Sequence, residues 1–259
     1  MTKARKEWIT ATQFHDVSDR EVLNTVLTRA KSWGPLGVVI LDLDSTLYEV
    51  AYRTFNILKD WLKSPESAPF SEAVSCLNRL DLSHVGYSLD DTFTALGLDL
   101  SQSKNQEALR ASKTFWKKRF FSNDYLVHDR PYPGAPGFVQ AVYETGVQIA
   151  YLTGRDEPNM GRATREALKR DGFPLNPERI HFFLKPQREG DDHTFKVDTG
   201  HEIKKLGQVV ASFENEPKNV IGLHQIFPEA MHVFVETHCS DNEALPGKGL
   251  YRIRSFDGF

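Results

Sequence analysis

The sequence predicts an α/β protein: a three-layer, Rossmann-like parallel sheet with helices on both faces, plus an inserted all-helical domain. Three observations predict it. Short apolar runs alternate with helical patterns over much of the chain, one long block is helical with almost no strand signal, and polar residues directly follow several apolar runs. Alternating strands and helices form parallel sheets that are covered on both faces.

Composition narrows the class of protein. The chain has 259 residues, of which 40% are hydrophobic and 26% charged, and its net charge is −3. This length accommodates a core and a smaller inserted domain, and the charge argues against an extended nucleic-acid-binding surface. No apolar run approaches the roughly 20 residues that span a bilayer. The two cysteines, Cys76 and Cys239, lie far apart and lack the spacing of a metal site, so we expect reduced thiols in a cytoplasmic protein. We expect no association with a membrane. The oligomeric state is not predicted.

The first elements are a helix and a buried strand. Residues 18–34 read as a helix with Ser18 as N-cap, Glu21 completing a capping box and Gly34 ending it. We expect 1–36 to be a helical extension packed on the core. The run VVILDL that follows is continuously apolar, which is typical of a strand buried on both faces.

The block 51–129 interrupts the alternation directly after this strand and is predicted to be a helical cap domain. Its helical stretches are AYRTFNILKDWLK, SEAVSCLNRL, LDDTFTALGL and KNQEALRASKTFWKKRFF. The core domain then comprises 37–50 and 130–259, where VQIAYLT, IHFFL, QVVASF and MHVFVET are predicted strands with helices between them. Apolar positions that would give the insert its own core are Phe55, Trp61, Leu62, Phe115 and Trp116.

Polar residues follow three of the predicted strands. Asp42 and Asp44 come after the first, Thr153 to Arg155 after VQIAYL, and Glu214 to Glu216 after QVVASF. Ligands of parallel sheets bind at the carboxyl ends of the strands. These three stretches are therefore expected to meet at one edge of the sheet.

Two aspartates so close together repel each other. One interpretation is a polar turn, in which Asp and Ser are favoured for their backbone hydrogen bonds. The other is a divalent cation that offsets the repulsion, since Mg²⁺ prefers carboxylate and carbonyl oxygens. In that case Asp42 can act as a nucleophile towards phosphorus and Asp44 as the general acid.

The stretch YLTGR also has two interpretations. Thr and Gly commonly cap helices and form turns. Alternatively, the Thr153 hydroxyl and the Gly154 amide donate hydrogen bonds to a phosphate, and the Arg155 guanidinium reaches further out.

The acids near residue 214 and a lysine complete the pattern. Glu214 and Glu216 either belong to a solvated turn or supply a further carboxylate to the metal ion. The position of Glu214 directly after an apolar strand favours the second interpretation. Among lysines, Lys185 and Lys196 are the candidates. Lys196 is favoured because it opens a predicted helix beside the same sheet edge, 18 residues before Glu214.

The order DLDST, YLTGR, lysine and acidic cluster resembles the haloacid dehalogenase superfamily of phosphohydrolases. The resemblance extends from Gly37 to the end of the chain, with the helical insert where that superfamily carries its first-position cap. The stretch YPGAPGFVQAVYETGVQIAYLTGR is particularly similar to phosphatase members.

The resemblance implies a Mg²⁺-dependent phosphatase that hydrolyses a small phosphomonoester through an aspartyl-phosphate. Asp42 resembles the nucleophile, Asp44 the acid/base, Thr153 the phosphate-binding hydroxyl and Lys196 the charge that stabilises the intermediate. Mg²⁺ would be held by the Asp42 carboxylate, the Asp44 backbone carbonyl and an acid, here Glu214. The cap would close over the site, exclude water and choose the substrate.

The acidic cluster departs from the family pattern, in which aspartates are usual. Here it is Glu214–Asn215–Glu216, so either Glu214 binds the cation directly or through water, or Asn215 takes the direct position. The departure keeps open a non-catalytic protein that binds a phosphorylated ligand. A phosphomutase also stays open, whereas Asp44 argues against a dehalogenase.

Overall fold

The computed structural model describes Trp8, residues 14–240 and residues 246–259. Most of the first part of the predicted extension 1–36 lies outside the described residues, as does Asp241, which the sequence offers as an alternative acid for the cation. None of the helices in the described ranges is long and apolar enough to cross a membrane.

Helices and strands alternate along the chain, as the sequence predicts. In chain order, the elements of the described residues are α1 (Asp19–Trp33), β1 (Gly37–Leu41), β2 (Tyr48–Glu49), α2 (Ala51–Leu62), α3 (Ser71–Leu77), α4 (Leu89–Ala95), α5 (Ser103–Phe120), β3 (Arg130–Pro131), α6 (Ala135–Glu144), β4 (Gln148–Asp156), α7 (Glu157–Arg170), β5 (Ile180–Lys185), α8 (Asp192–Ile203), β6 (Gln208–Glu214), α9 (Pro217–Ile226), β7 (Met231–Val235) and β8 (Tyr251–Ile253).

Six of the strands form one sheet in the order β5–β4–β1–β6–β7–β8. Every neighbouring pair in it is parallel. All five residues of β1 are buried, which agrees with its continuous apolar sequence and its place in the middle of the sheet. Because the strands are parallel, the carboxyl ends of β1, β4 and β6 lie along one edge.

Helices cover both faces of the sheet. Ile40 of β1 packs in one apolar cluster with Ile203 of α8. The next residue, Leu41, points to the opposite face and pairs with Phe213 of β6. The Phe213 ring contacts Phe138 of α6, with ring centroids 5.2 Å apart. The predicted fold class, a parallel sheet between two helical layers, is therefore confirmed.

Local chemistry sets the limits of α1. The Ser18 hydroxyl accepts a hydrogen bond from the Glu21 amide at 3.3 Å, as the N-cap prediction requires. Gly34 ends the helix with φ of +50°, a value that glycine adopts without a steric penalty. The buried face of the helix, which packs on β1 and β6, consists of Val22, Leu23, Val26 and Ala30.

One helix and three short strands differ from the sequence prediction. The predicted helix that Lys196 opens is α8, which begins earlier, at Asp192, because the Asp191 carboxylate caps it by accepting the Thr194 amide at 2.8 Å. The strands β2 and β3, with two residues each, were not predicted, and they form a separate two-stranded sheet. The strand β8, which pairs with β7, was not predicted either. It has three residues with Arg252 in the middle, so no apolar run marks it.

The chain divides into two compact units. One comprises Met1–Tyr48, Pro131–Pro158 and Leu168–Phe259, and the other Glu49–Arg130 and Asn159–Ala167. The predicted helical domain was 51–129, so the segment Asn159–Ala167 is an addition to it.

The helical unit has an apolar core and a buried ion pair. Trp61 and Phe115 are buried in its core, and Phe55, Leu62 and Trp116 are half-buried against it.

The ion pair joins Arg53 of α2 to Asp129. The Arg53 Nε and Nη2 atoms donate to the two carboxylate oxygens at 2.8 and 2.5 Å, and both side chains are fully buried. The pair ties the first helix of the unit to the residue that precedes β3.

A buried histidine links β6 and β7 in the core. His232 Nδ1 lies 2.7 Å from the Ser212 hydroxyl and Nε2 lies 2.8 Å from the Phe227 carbonyl. A carbonyl only accepts, so Nε2 carries the proton and Nδ1 accepts from the hydroxyl. Burial, with the nearby His224 adding to it, lowers the pKa of His232 to about 4. The neutral ring is therefore the form that the fold accommodates.

We predict that His232 makes the fold acid-sensitive. Its folded-state pKa lies below its usual value of 6.5. Its contribution to the free energy of unfolding is thus complete above about pH 6.5 and is lost as the pH falls towards 4. The full shift corresponds to about 3 kcal/mol. Urea unfolding of the parent and of His232→Gln across this range measures it. The stability gap between them should narrow with falling pH, and parallel curves would contradict the prediction.

Candidate active site

Asp42 lies at the carboxyl end of the central strand β1. Its amide donates to the Phe213 carbonyl at 3.1 Å, which continues the β1–β6 ladder by one residue. The side chain is buried, with 5% of the residue exposed. The strand pairing therefore fixes the backbone of the predicted nucleophile.

Lys196 of α8 bridges two carboxylates. Its Nζ donates to Asp42 Oδ1 at 2.6 Å and to Glu214 Oε2 at 2.6 Å, and all three side chains are buried. Burial and the charge of Glu214 raise the pKa of Asp42, although Lys196 opposes the rise. Burial lowers the pKa of Lys196, but the two carboxylates outweigh it and raise that pKa above its usual value. The cluster thus brings two acids together around one fixed positive charge.

The other oxygen of Asp42 faces a hydroxyl that also contacts an amide. Thr46 Oγ1 lies 2.8 Å from Asp42 Oδ2 and 3.0 Å from Asn215 Oδ1, and its single proton serves one of them at a time. The Asn215 Nδ2 group donates to the His238 carbonyl at 2.6 Å. The Thr46 hydroxyl therefore links the Asp42 carboxylate to an amide oxygen from a distant part of the chain.

A tight turn follows Asp44. Ser45 has φ of +59°, in the left-handed region, and its amide donates to the Tyr48 carbonyl at 2.8 Å. Non-glycine residues in this region cluster at functional sites because the conformation is costly. The turn directs the chain away from the sheet directly after the second aspartate.

Arg155 lies against Asp44. Its Nε and Nη2 atoms donate to Asp44 Oδ1 at 3.1 and 2.5 Å, and its side chain is fully buried while that of Asp44 is 30% exposed. The sequence interpretation had Arg155 reaching outward to a phosphate. It faces Asp44 because β4 continues to Asp156, so Arg155 belongs to the strand and not to a loop beyond it.

Thr153 and Gly154 lie next to each other in β4, near the same edge. Thr153 is buried, and its hydroxyl accepts the Arg155 amide at 3.3 Å. A Cβ at Gly154 would lie 2.5 Å from Asp192 Oδ2, so a larger residue here would displace that carboxylate. Their role in binding phosphate stays a prediction.

Lys185, the alternative site lysine, is engaged elsewhere. Its Nζ donates to the carbonyls of Arg188 and Gly190 at 2.9 and 2.8 Å, and to Asp192 Oδ1 at 2.7 Å. An ammonium group has three protons, and these three contacts account for them. Lys196, not Lys185, is thus the lysine placed between the carboxylates.

The two glutamates have different partners. Glu214 Oε1 accepts the amides of Asn215 and Glu216 at 3.1 and 3.0 Å, while its other oxygen accepts Lys196. Glu216 accepts the Ser240 hydroxyl at 2.5 Å. Across 14–240, 246–259 and Trp8, no three His, Cys, Asp or Glu side chains group as a metal site. The Asp42 carboxylate instead contacts the Thr46 hydroxyl, which also lies 3.0 Å from Asn215 Oδ1.

Comparison with known proteins finds likeness at the level of solved structures. No family model matches the chain, and no curated protein matches it. Protein Tyrosine Kinase A of Mycobacterium tuberculosis is 18% identical over 86% of this chain and 95% of its own, with a TM-score of 0.46. A predicted phosphatase from Clostridium acetobutylicum is 16% identical over 86% and 96%, with a TM-score of 0.47. A haloacid dehalogenase-like hydrolase from Streptococcus pneumoniae is 12% identical over 76% and 83%, with a TM-score of 0.42.

Three contributors to the site were missed or left open by the sequence interpretation. Thr46 was part of the quoted DLDST stretch but received no role, and Asn215 was only an alternative. Thr237, whose hydroxyl donates to the Ser45 carbonyl, was not considered. A signal for Thr237 exists: it is the polar last residue of the predicted strand MHVFVET, at the carboxyl end where ligands of parallel sheets bind.

We predict strong energetic coupling between Asp44 and Arg155. Hydrogen bonds that involve charged groups contribute about 1.5–3 kcal/mol, whereas exposed ion pairs contribute about 0–1 kcal/mol. Since the Arg155 guanidinium is buried, the coupling should lie in the range of charged hydrogen bonds and not in that of exposed ion pairs. A double-mutant cycle with Asp44→Asn and Arg155→Met, followed by urea unfolding, measures the coupling. A value below about 0.5 kcal/mol would show that the contact does not hold Asp44 in place.

Proposed function

We propose that this chain is a Mg²⁺-dependent phosphatase of the haloacid dehalogenase type, which hydrolyses a small phosphomonoester through an aspartyl-phosphate on Asp42. One observation carries the proposal. At the end of the central strand, Lys196 contacts one oxygen of Asp42 and Thr46 the other, with Asp44 two residues further along. A carboxylate oriented in this way beside a second acid has the two groups that phosphoryl transfer through an enzyme carboxylate requires.

The first half of the reaction forms the intermediate. An oxygen of Asp42 attacks phosphorus, the bond from phosphorus to the ester oxygen breaks, and Asp44 gives its proton to the departing alkoxide. Lys196 offsets the negative charge gathered around Asp42 and the transferring group. Thr153 and Gly154 are proposed to donate hydrogen bonds to the phosphoryl oxygens.

The second half returns the enzyme to its starting state. Asp44, now ionised, takes a proton from a water molecule that attacks phosphorus. The bond from phosphorus to the Asp42 oxygen breaks and inorganic phosphate is released. Arg155 holds the Asp44 carboxyl through both steps, which makes it a positioning residue under this proposal and not a ligand of the substrate.

The residues around Asp42 fit a hard cation. Asp42 Oδ2 and Asn215 Oδ1 both lie within hydrogen-bonding distance of one hydroxyl, and these candidate ligand atoms are oxygens, which suit Mg²⁺ better than Zn²⁺. Mg²⁺ commonly binds one or two carboxylates and keeps several waters. Asp42, Asn215 and the Asp44 backbone carbonyl would hold it, and Glu214 would act through Lys196. The bound cation would neutralise charge on the phosphoryl group.

A non-catalytic protein that binds a phosphorylated ligand is the second candidate. The observation that favours it is Asn215, a neutral amide where a second carboxylate would hold a cation more strongly. The two candidates separate in a direct assay: a phosphatase releases inorganic phosphate from a panel of phosphomonoesters when Mg²⁺ is present, and a binding protein does not.

We predict that Asp42→Asn abolishes phosphate release and leaves the fold intact. The amide is nearly isosteric with the carboxylate but is a poor nucleophile. The measurement is phosphate release from the panel with and without Mg²⁺. Asp198→Asn is the matched control, because Asp198 is an exposed acid on the same helix as Lys196 and should leave turnover unchanged. Turnover by Asp42→Asn near that of the parent would refute the covalent mechanism.

We predict that Asn215, not Glu214, is the direct cation ligand from the acidic stretch. Asn215→Ala should weaken Mg²⁺ binding by at least about tenfold, since even changes outside the ligand shell cost 10–100-fold in metal affinity. Glu214→Gln should weaken it less, because its carboxylate is engaged by Lys196 and two amides. Isothermal titration with Mg²⁺ measures binding without turnover. The reverse ranking would assign the cation to Glu214.

A further inference from the structure

The segment that follows β7 contacts the candidate site at three points. The Thr237 hydroxyl donates to the Ser45 carbonyl. The His238 carbonyl accepts Asn215 Nδ2 at 2.6 Å. The Ser240 amide and hydroxyl donate to Glu216, the hydroxyl at 2.5 Å. We call Thr237–Ser240 the strap.

Each point of contact is adjacent to a residue of the site. Ser45 directly follows Asp44, Asn215 directly follows Glu214, and Glu216 directly follows Asn215. The strap therefore contacts both polypeptide stretches from which the cation ligands are proposed to come, although it contributes none of the reacting groups.

The contact with Asn215 decides which way its amide points. An amide turned by 180° exchanges its oxygen and its NH₂ group, and only the NH₂ group can donate to a carbonyl. The His238 carbonyl therefore holds the NH₂ group, and Oδ1 faces the Thr46 hydroxyl that also contacts Asp42. Without this carbonyl, the NH₂ group could turn towards Asp42 and repel a cation.

The contact with Ser45 supports a costly backbone conformation. Ser45 has φ of +59°, and strained residues of this kind persist where their surroundings fix them. The Thr237 hydroxyl binds the carbonyl of this residue, and the Ser45 amide binds Tyr48. The turn after Asp44 is thus held from outside its own segment.

We propose that the strap is a positioning element for the active site, with Thr237 as its key residue. It holds the Ser45 turn and the Asn215 amide in the orientations that present oxygens to a divalent cation and the Asp44 carboxyl to a leaving group. The catalytic part of this inference rests on the proposed phosphatase function, whereas the positioning part concerns the geometry of the strap itself.

The test compares Thr237→Val, which removes the hydroxyl and keeps the shape, with Thr237→Ser, which keeps the hydroxyl. Three quantities are measured on the full chain: hydrogen exchange of residues 42–48, affinity for Mn²⁺ by electron paramagnetic resonance, and kcat for p-nitrophenyl phosphate and for an alkyl phosphate.

We expect Thr237→Val to exchange faster at 42–48 and to bind Mn²⁺ at least about tenfold more weakly, as changes around a ligand shell commonly do. Its kcat should fall more for the alkyl phosphate, whose poor leaving group depends on a well-placed Asp44. Thr237→Ser should resemble the parent in all three. A general loss of stability would lower activity equally for both substrates.

Parent-like exchange and Mn²⁺ affinity in Thr237→Val would overturn the proposal. If the parent neither hydrolyses the esters nor binds Mn²⁺, the phosphatase proposal fails, and exchange at 42–48 still decides whether the strap holds the turn. If Thr237→Val does not fold, Ser240→Ala takes its place, because it removes only one hydroxyl contact with Glu216. It should weaken Mn²⁺ binding in the same direction, and an unchanged affinity would count against the strap.

Discussion

The site depends on one buried ammonium group between two buried carboxylates. Lys196 holds Asp42 and Glu214 together at the end of the central strands. Breaking a buried pair by removing one partner costs about 3–5 kcal/mol, because the remaining charge stays buried without compensation. Lys196 is therefore required for the fold of this edge as well as for its chemistry. The carboxylate of Asp44 does not depend on Lys196, because Arg155 of the neighbouring strand β4 compensates its negative charge.

Delivering Lys196 to this position requires a fixed start for α8. Asp192, the first residue of that helix, is held by Lys185 at the end of β5, and Lys185 also binds the loop between the two elements. The Asp192 carboxylate in turn lies where a side chain at position 154 would be, so Gly154 of β4 is a steric requirement of the same arrangement. Lys185 thus fixes the loop that leads into α8, and α8 carries Lys196.

The sequence predicted the parts of this structure that follow from local periodicity. Continuous apolar runs gave β1 and β6, and the rule that ligands bind at the carboxyl ends of parallel strands placed Asp42 and Glu214 at one edge. Side-chain pairing across distant segments has no such local signal. Whether Arg155 faces a ligand or Asp44 depends on where β4 ends, and the orientation of Asn215 depends on a carbonyl 23 residues further along the chain. The group that a side chain contacts is therefore much harder to predict from the sequence than its place at the edge of the sheet.

The total charge of the site offers a reason for an amide, and not a carboxylate, at Asn215. Protonation of Asp44 for the first step of the proposed reaction adds one positive charge. With every group ionised, Asp44 and Arg155 cancel each other, and Asp42, Glu214 and Lys196 leave the cluster with a formal charge of −1. Under the proposed function, a divalent cation changes this to +1, which favours a phosphate dianion. A second carboxylate in place of Asn215 would hold the cation more strongly but would bring the total to zero. The neutral amide of Asn215 therefore supplies a cation ligand and keeps the site attractive to an anion. Its orientation matters more than that of a carboxylate would, because a carboxylate has two equivalent oxygens and an amide has only one.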